Sequence, residues 1–199
     1  MRIVLIGSSG TIGRHIHERL SAKAEVLSAG RNGADIRVDI TDEDSIEEMY
    51  NAAGSIDAVV CAAGPAKFGA FSELTEEDHY IGIRGKLMGQ VNLVRIGQRY
   101  LNDGGSFTLT TGILADDPVP GSSSLALVNG GLHSFAMAAA LELPRGLRIN
   151  VVAPTVVSDA AEKYSDIFPG YTPVSMERVA DGYVRSVFGR TTGRILRIT

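Results

Sequence analysis

The sequence has a single cysteine, Cys61, and no tryptophan among its 199 residues. One cysteine cannot form an intramolecular disulfide. None is needed, because a chain of this length buries roughly 70% of the surface that its unfolded form exposes, which is enough for a stable core. A reducing compartment is the simplest environment for such a chain, and we expect it in the cytoplasm.

An excess of one charge and long apolar runs are also missing. The 19 basic and 23 acidic side chains give a net charge of −4, which argues against nucleic acid or an anionic membrane surface as the main partner. The apolar run from Ile3 to Ile6 ends at Gly7, far short of the ~20 residues of a membrane span, and it lacks the cleavage region of a signal peptide. We expect one domain, residues 1–199, that binds a small molecule and neither nucleic acid nor membrane.

The sequence also offers little support for a metal site at its one adjacent pair of aspartates, Asp116 and Asp117. Asp116 and Asp117 are adjacent, but no histidine or further carboxylate lies near them in the sequence. Carboxylate, imidazole and thiolate groups must gather in larger numbers to hold a metal ion. We therefore predict a solvated loop here and assign no metal.

Apolar runs and helical periodicity alternate along the chain. Strands are predicted at residues 2–6, 25–29, 35–39, 57–61, 106–111, 147–153 and 195–198, and helices at 12–21, after Thr41, at 75–101, at 124–143 and from Ser175. Thr41 and Thr75 each precede an acid by three residues, which is the pattern of a capping box. Because parallel neighbours need helical crossovers, the alternation predicts an α/β fold: a Rossmann-like, doubly wound, mainly parallel sheet of about seven strands with helices on both faces.

Glycine, with 23 residues, is concentrated where predicted strands end. The pattern Gly7-x-x-Gly10-x-x-Gly13 follows the first strand and opens the first helix, and this context is what makes a glycine pattern informative. Glycine permits close backbone approach, and the free N–H groups of a helix N-terminus attract a pyrophosphate. We predict a dinucleotide site formed by Gly7, Ser9, Gly10, Thr11, Ile12 and Gly13.

The residues after the second strand bear on which dinucleotide is bound. An acid at this point is typical of NAD, whereas a basic residue accommodates the 2′-phosphate of NADP. The segment Ser28 to Asn32 holds no acid but contains Arg31, whose planar charged group suits a phosphate, with Arg14 as possible support. NADP(H) is thus favoured over NAD(H). Asp39, at the end of the third strand, is a candidate to accept a hydrogen bond from the adenine amino group, although an ordinary turn role is the alternative.

With these landmarks, the chain resembles the short-chain dehydrogenase/reductase family over nearly its whole length. Ile6 to Gly13 is similar to the family's glycine motif, Val59 to Gly64 to its Asn-Asn-Ala-Gly segment, and Leu147 to Pro154 to the stretch that precedes the nicotinamide contact. The resemblance implies further cofactor contacts at Ala62, Ala63, Gly64, Pro154 and Val157.

The sequence departs from the family at the centre of the chemistry. The family uses a tyrosine and, four residues later, a lysine, but the matching positions are Leu125 and Asn129, and no Tyr-x-x-x-Lys occurs in the chain. Lys86 stands where the family has a helix asparagine. We hypothesise that Lys86 and Asn129 face each other near the nicotinamide ribose, with a solvent-facing lysine as the alternative.

Further polar residues accompany this pair. Thr110 and Thr111 end the fifth strand near the family's serine position, so either hydroxyl is a candidate to orient a carbonyl. The alternative is that threonine occurs here only because it favours strands. His133 follows Asn129 by one helical turn, and its ordinary pKa near 6.5 suits proton transfer, although a packing role is the alternative.

The residues leave two main functions open. The first is an NADP(H)-dependent oxidoreductase of the short-chain type, acting on a small carbonyl or alcohol substrate with a rearranged active site. The second is a non-catalytic dinucleotide-binding sensor or interaction protein on the same fold. An isomerase, dehydratase or nucleotide-sugar enzyme is less favoured, because the segment from Ser158 to Val174 leaves little room for a large substrate. The resemblance also implies a homodimer or homotetramer paired through the helices at 75–101 and 124–143.

Overall fold

The computed structural model describes all residues, 1–199. The strands are β1 (Arg2–Ile6), β2 (Glu25–Gly30), β3 (Ile36–Arg37), β4 (Ile56–Cys61), β5 (Leu101–Thr110), β6 (Arg148–Pro154) and β7 (Arg194–Ile198). They form one parallel sheet of seven strands in the order β3-β2-β1-β4-β5-β6-β7, so the predicted sheet is confirmed. The chain runs outward from β1 to β3 and then returns to β4 on the other side of β1. This reversal opens a crevice at the carboxyl ends of β1 and β4, where ligands bind in such sheets.

Helices cover both faces of the sheet. They are α1 (Thr11–Ser21), α2 (Glu43–Ala53), α3 (Glu76–Gly82), a π-helical segment (Ile83–Met88), α4 (Gly89–Gly97), α5 (Ser123–Glu142), α6 (Ala161–Tyr164) and α7 (Met176–Phe188). One buried apolar cluster joins α2, α4 and α5 to the sheet, and a second joins α1 and α7 to its opposite face. The fold is therefore a three-layer α/β sandwich, as predicted.

The helix predicted at 75–101 is the largest error in the secondary structure. It is divided by the π-helical segment and ends at Gly97, while β5 begins at Leu101 rather than at residue 106. The four residues from Asn102 to Gly105 form an irregularity in β5, since Ile56 of β4 pairs with Leu101 and Ala58 pairs with Ser106. Turn-forming residues in that stretch therefore mark a bulge within a strand.

The helix starts were predicted with mixed success. The box at Thr75 forms: its hydroxyl accepts from the Asp78 N–H at 3.2 Å, and the Asp78 carboxylate accepts from the Thr75 N–H at 3.0 Å. The box at Thr41 does not form, because Asp42 caps α2 by accepting from the Asp44 N–H at 3.1 Å. The third strand is also shorter than predicted, at two residues.

Helix α5 is apolar on all sides. It is the one helix that is long and apolar enough to cross a membrane by length and composition alone, and 33% of its most apolar window is buried. Leu132 and Ala136 of α5 pack into the cluster shared with α2 and α4. This packing places α5 as a covering helix of the sheet.

Candidate active site

The turn between β1 and α1 is packed too closely for side chains at two of its glycines. Gly7 has a positive φ of 85°, and its N–H donates to the Ala29 carbonyl at 3.0 Å. A Cβ on Gly7 would lie 2.9 Å from the Ala62 carbonyl oxygen, and a Cβ on Gly13 would lie 1.9 Å from the Gly7 carbonyl oxygen. These contacts hold the glycine turn against the residues that follow β4.

The N-terminus of α1 opens from this turn with its charge uncompensated. Its N-cap residue, Gly10, offers no side chain to the first N–H groups, and the first turn contains no acidic residue. Free N–H groups and the partial positive charge of the helix end therefore remain available to an anion. Thr11, Ile12 and Gly13 supply these groups, in accord with a phosphate-binding role.

A cavity of ≈ 370 Å³ lies beside this helix end. It is lined by the glycine turn, the end of β2, the residues after β3 and the loop after β4; its walls include Gly7, Ser9, Ala63, Arg31, Asp39 and Gly64. Four segments far apart in sequence thus contribute predicted cofactor residues to one cleft. Its walls are largely backbone and small side chains, which suits a long, flat ligand.

Two charged side chains mark the far end of the cleft. Arg31 makes no ion pair, so its guanidinium is available to a ligand. The Asp39 carboxylate accepts from the N–H of Thr41 at 3.0 Å and from its hydroxyl at 2.8 Å, and these bonds hold the pKa of Asp39 below its ordinary value. Asp39 therefore has the ordinary turn role and also lines the cleft, while its proposed bond to adenine stays a prediction.

The suggestion that Arg14 supports Arg31 is wrong. The Arg14 guanidinium is paired with the carboxylate of Asp159, which also lies 3.1 Å from His15 Nε2. This pairing ties α1 to the segment after β6 and directs Arg14 away from the end of β2. Arg31 is left as the basic residue at the predicted 2′-phosphate position.

Lys86 lies in the π-helical segment, next to Gly85, which lines the cleft. A Cβ on Gly64, whose φ is +128°, would lie 2.8 Å from the Lys86 Cα, and a Cβ on Gly85 would lie 2.9 Å from Pro65. The loop after β4 therefore rests directly on this segment. π-Helical turns inside α-helices are frequent at functional sites.

The environment of Lys86 changes its acidity. The side chain is partly buried and makes no hydrogen bond or ion pair. Burial lowers the pKa of Lys86 from 10.5 to about 8, because the charged form loses hydration. The ammonium thus remains the main form at neutral pH, and the alternative of a solvent-facing lysine is not what the structure shows.

Asn129 lies on the neighbouring helix, and its amide is incompletely bonded. The residue is 2% exposed, and its Oδ1 has no hydrogen-bond partner. A Cβ on Gly112 would lie 3.7 Å from Asn129 Nδ2, so the amide faces the backbone after β5. Buried polar atoms are seldom left unpaired, and an orphaned oxygen here fits a ligand that brings its own donor.

The helices that carry Lys86 and Asn129 pack side by side, as hypothesised. A Cβ on Gly131 would lie 3.1 Å from Leu87, one residue beyond Lys86. Leu125, four residues before Asn129, is partly buried and supplies no titratable group where the family has its tyrosine. A proton for the reaction must come from elsewhere.

The two threonines at the end of β5 point to opposite faces of the sheet. The Thr110 hydroxyl donates to the Cys61 carbonyl at 2.6 Å and lies 2.8 Å from the Tyr183 hydroxyl, in the layer of α7. The Thr111 hydroxyl lies 2.8 Å from His133 Nε2, in the layer of α5. The catalytic prediction for Thr110 is therefore corrected: its hydroxyl is used within the core, and Thr111 is the candidate that remains.

This assignment predicts a stability effect rather than a catalytic one for Thr110. We expect Thr110→Val to lower the free energy of unfolding by about 1–3 kcal/mol, because it leaves buried polar partners unpaired. Urea titration measures the change, and Thr191→Val on the exposed surface is the control, with an expected change within about 0.5 kcal/mol. A Thr110→Val protein that is fully stable but inactive would restore the original prediction.

The remaining predicted positions lie at the end of β6. Pro154 pairs with Ile198 of β7, and Val157 is 8% exposed and forms an isolated bridge with Val174. These contacts fix the backbone where the resemblance implies a carboxamide contact.

Asp116 accepts two hydrogen bonds from Arg197 at 2.8 and 2.7 Å, and Asp117 accepts one from the Tyr171 hydroxyl at 2.6 Å. The side chains of both aspartates are thus bonded within the protein.

Several features of the site were not predicted. They are the π-helical segment, the proximity of Gly112 to Asn129, and the hydrogen bond from Tyr171 to Asp117. The first two depend on glycines whose role is only visible once neighbouring elements pack against them. Gly85 and Gly112 in the sequence were the available signals.

A sheet of this order with a glycine turn and a free helix end at its switch point defines a dinucleotide-binding α/β protein. Residues 12–182 match a family model described as enoyl-(acyl carrier protein) reductase. The chain belongs to this family of short-chain dehydrogenases/reductases, so the predicted family is confirmed.

Solved structures share this fold. The protein lin1944 from Listeria innocua is 48% identical, with a TM-score of 0.98 and complete coverage of both chains. A small-chain dehydrogenase in complex with NADPH has a TM-score of 0.85 at 23% identity, covering 100% of this chain and 96% of its own, and shows the shared fold.

Similarity to curated proteins is more distant. An uncharacterised oxidoreductase from Methylorubrum extorquens is 26% identical over 137 residues, which are 66% of this chain and 55% of that protein. A glucose and ribitol dehydrogenase homologue from Arabidopsis thaliana is 31% identical over 113 residues, 55% of this chain and 38% of that protein. The matched regions thus span about half or less of these relatives' length.

Proposed function

We propose that the protein is an NADP(H)-dependent oxidoreductase that interconverts a small carbonyl compound and its alcohol. The observation that carries the proposal is the single cleft lined by the glycine turn before the free N-terminus of α1, by the unpaired Arg31, and by Gly85 beside Lys86. Membership of an oxidoreductase family and the NADPH-bound structural relative support it. The cytoplasm is the proposed location, in keeping with the free thiol of Cys61.

The residues present fit the dinucleotide along its length. The N–H groups of Thr11, Ile12 and Gly13 would bind the pyrophosphate, and Arg31 would bind the 2′-phosphate. The orphaned Oδ1 of Asn129 would accept a hydrogen bond at the nicotinamide end. When bound, the nicotinamide supplies hydride transfer to or from the substrate carbon.

Lys86 has an electrostatic role in this proposal. Its ammonium, which lies in a partly buried site, would stabilise the negative charge that develops on the substrate oxygen. A pKa of about 8 leaves this group charged at neutral pH and uncharged in more alkaline solution. Turnover is therefore expected to fall as the pH rises through that value.

A non-catalytic dinucleotide sensor is the second candidate. Leu125 at the family's tyrosine position favours it, because the usual proton donor is absent. A screen of small ketones and aldehydes with NADPH, and of the matching alcohols with NADP⁺, separates the two functions. Binding of the dinucleotide without any turnover would identify the protein as a sensor.

Arg31 provides a test of cofactor choice. We expect Arg31→Glu to weaken NADPH binding by about 10- to 100-fold, the loss typical of a charge-assisted hydrogen bond, and to leave NADH binding little changed. Arg37→Glu is the charge-matched control, because Arg37 does not line the cleft, and its effect is expected to stay below about threefold. Calorimetric titration measures both, and equal binding of the two cofactors by the unaltered protein would contradict the NADP(H) preference.

We also propose that the protein forms a homodimer or homotetramer. Met88, Leu127, Met137 and Leu141 are exposed apolar residues on or beside α4 and α5, the helices through which the family resemblance implies pairing. An apolar surface on adjacent helices is typical of association between copies. Sedimentation velocity measures the oligomeric state, and a monomer at all concentrations would contradict the proposal.

A further inference from the structure

Thr111, after β5, and His133, on α5, form a buried hydrogen-bonded pair. The Thr111 hydroxyl and His133 Nε2 are 2.8 Å apart, and the residues are only 6% and 7% exposed. A buried titratable ring bonded to a hydroxyl, rather than to a carboxylate, is suited to pass a proton through that hydroxyl.

The pair lies at the carboxyl end of the parallel sheet, the end at which ligands bind in folds of this type. The Thr111 N–H donates to the Val152 carbonyl at 3.0 Å, which places Thr111 beside the carboxyl end of β6. The next residue, Gly112, faces Asn129, and His133 lies one turn beyond Asn129 on α5. Leu87, the residue after Lys86, packs on Gly131 of the same helix, so Thr111, Asn129 and Lys86 lie on three neighbouring elements.

The charges around His133 favour its neutral form. Burial lowers the pKa of His133 below 6.5, the cations Arg197 and Lys86 act in the same direction, and the carboxylate of Asp116 opposes them. Asp116 is itself held by two hydrogen bonds from Arg197, which offset its charge. At neutral pH the ring is an unprotonated base.

We infer that Thr111 and His133 form the proton path of this enzyme, in place of the missing tyrosine. In alcohol oxidation, the substrate O–H bond breaks and its proton passes to the Thr111 oxygen, while the Thr111 proton passes to His133 Nε2. The C–H bond of the carbinol carbon breaks as well, and its hydride would pass to the oxidised nicotinamide, so the products would be a carbonyl, the reduced cofactor and a protonated His133. The reverse sequence serves reduction, and the inference rests on the proposed oxidoreductase function.

The proton path has a kinetic test. For the wild-type protein with an alcohol substrate, we expect kcat to rise with pH as His133 loses its proton, at a pH below 6.5. We expect kcat to fall again in alkaline solution as Lys86 loses its proton. His133→Gln, which retains a hydrogen-bonding side chain, is expected to lower kcat by about 100-fold or more with little change in KM, and to abolish the acidic limb of the profile. Thr111→Val is expected to act like His133→Gln, and Thr111→Ser is expected to recover most of the rate. His17→Gln on α1 is the matched control with unchanged kinetics.

A second measurement needs neither cofactor nor substrate. Nitrogen-15 NMR of the histidine rings is expected to show His133 titrating below 6.5, with its proton on Nδ1 and Nε2 as the acceptor from Thr111. Thr111→Val is expected to alter the His133 signals and not those of His15, His17 and His79. A His133 pKa at or above 6.5, or His133 signals that do not change in Thr111→Val, would overturn the proton path.

The two proposals fail in different ways. Dinucleotide binding without turnover by the unaltered protein would remove the oxidoreductase function and the proton path with it. Turnover by the unaltered protein that persists in His133→Gln, within about twofold and with its acidic limb intact, would remove the proton path alone.

Discussion

Gly13→Ala is expected to weaken NADPH binding by about 100-fold or more and to destabilise the fold. The added Cβ would lie 1.9 Å from the Gly7 carbonyl oxygen, and both partners are backbone, so the turn itself must move. Such a shift displaces the N–H groups at the start of α1 that would hold the pyrophosphate. Fluorescence titration with NADPH measures the loss, and circular dichroism reports whether the variant is folded.

Two related variants make this result interpretable. Gly130→Ala, in α5, places its Cβ where no atom lies within 4 Å, so it is expected to bind NADPH normally and to gain up to about 1 kcal/mol of helix stability. Gly10→Ala would meet the Gly7 carbonyl oxygen at 3.4 Å, an ordinary contact, and is expected to remain folded. NADPH binding by Gly13→Ala at the wild-type affinity would contradict the role of the glycine turn.

Lys86→Met is expected to lower kcat by about 100- to 1,000-fold. The substitution keeps an unbranched side chain of similar length but removes the charge that, in our proposal, would stabilise the developing oxyanion. The decrease in turnover above pH 8 is expected to vanish with the lysine, because burial places its pKa at about 8. Steady-state kinetics across the pH range measure both effects on a substrate from the carbonyl screen.

The control for this prediction is another lysine. Lys67 forms a surface ion pair with Asp78 at 2.8 Å, outside the cleft, and Lys67→Met is expected to leave turnover unchanged. A Lys86→Met enzyme that keeps its full rate and its alkaline limb would exclude Lys86 from the reaction.

The sequence predicted most of the features that depend on local rules, with the capping box at Thr41 as an exception. The glycine turn follows from a buried strand, a spacing of glycines and a helix start, and all three are read from neighbouring residues. The capping box at Thr75 was predicted for the same reason, since Thr75 and Asp78 lie within one helical turn. Alternation of strands and helices then determined the layers and the parallel sheet.

Features that depend on distant contacts were not predictable. Arg14 pairs with Asp159, which is 145 residues away in the sequence, so its direction could not be read from its neighbours. The π-helical segment accompanies the packing of Gly85 on Pro65, a contact between separate elements. Thr110 and Thr111 are adjacent and chemically alike, and only the strand's register decides which hydroxyl enters the core and which meets His133.

A crystal structure of the protein with NADP⁺ tests the central claim most directly. We expect the 2′-phosphate at Arg31, the pyrophosphate at the N-terminus of α1, and the nicotinamide end beside Lys86, Asn129 and Thr111. A dinucleotide bound in the opposite direction, bound outside this cleft, or absent at saturating concentration would contradict it.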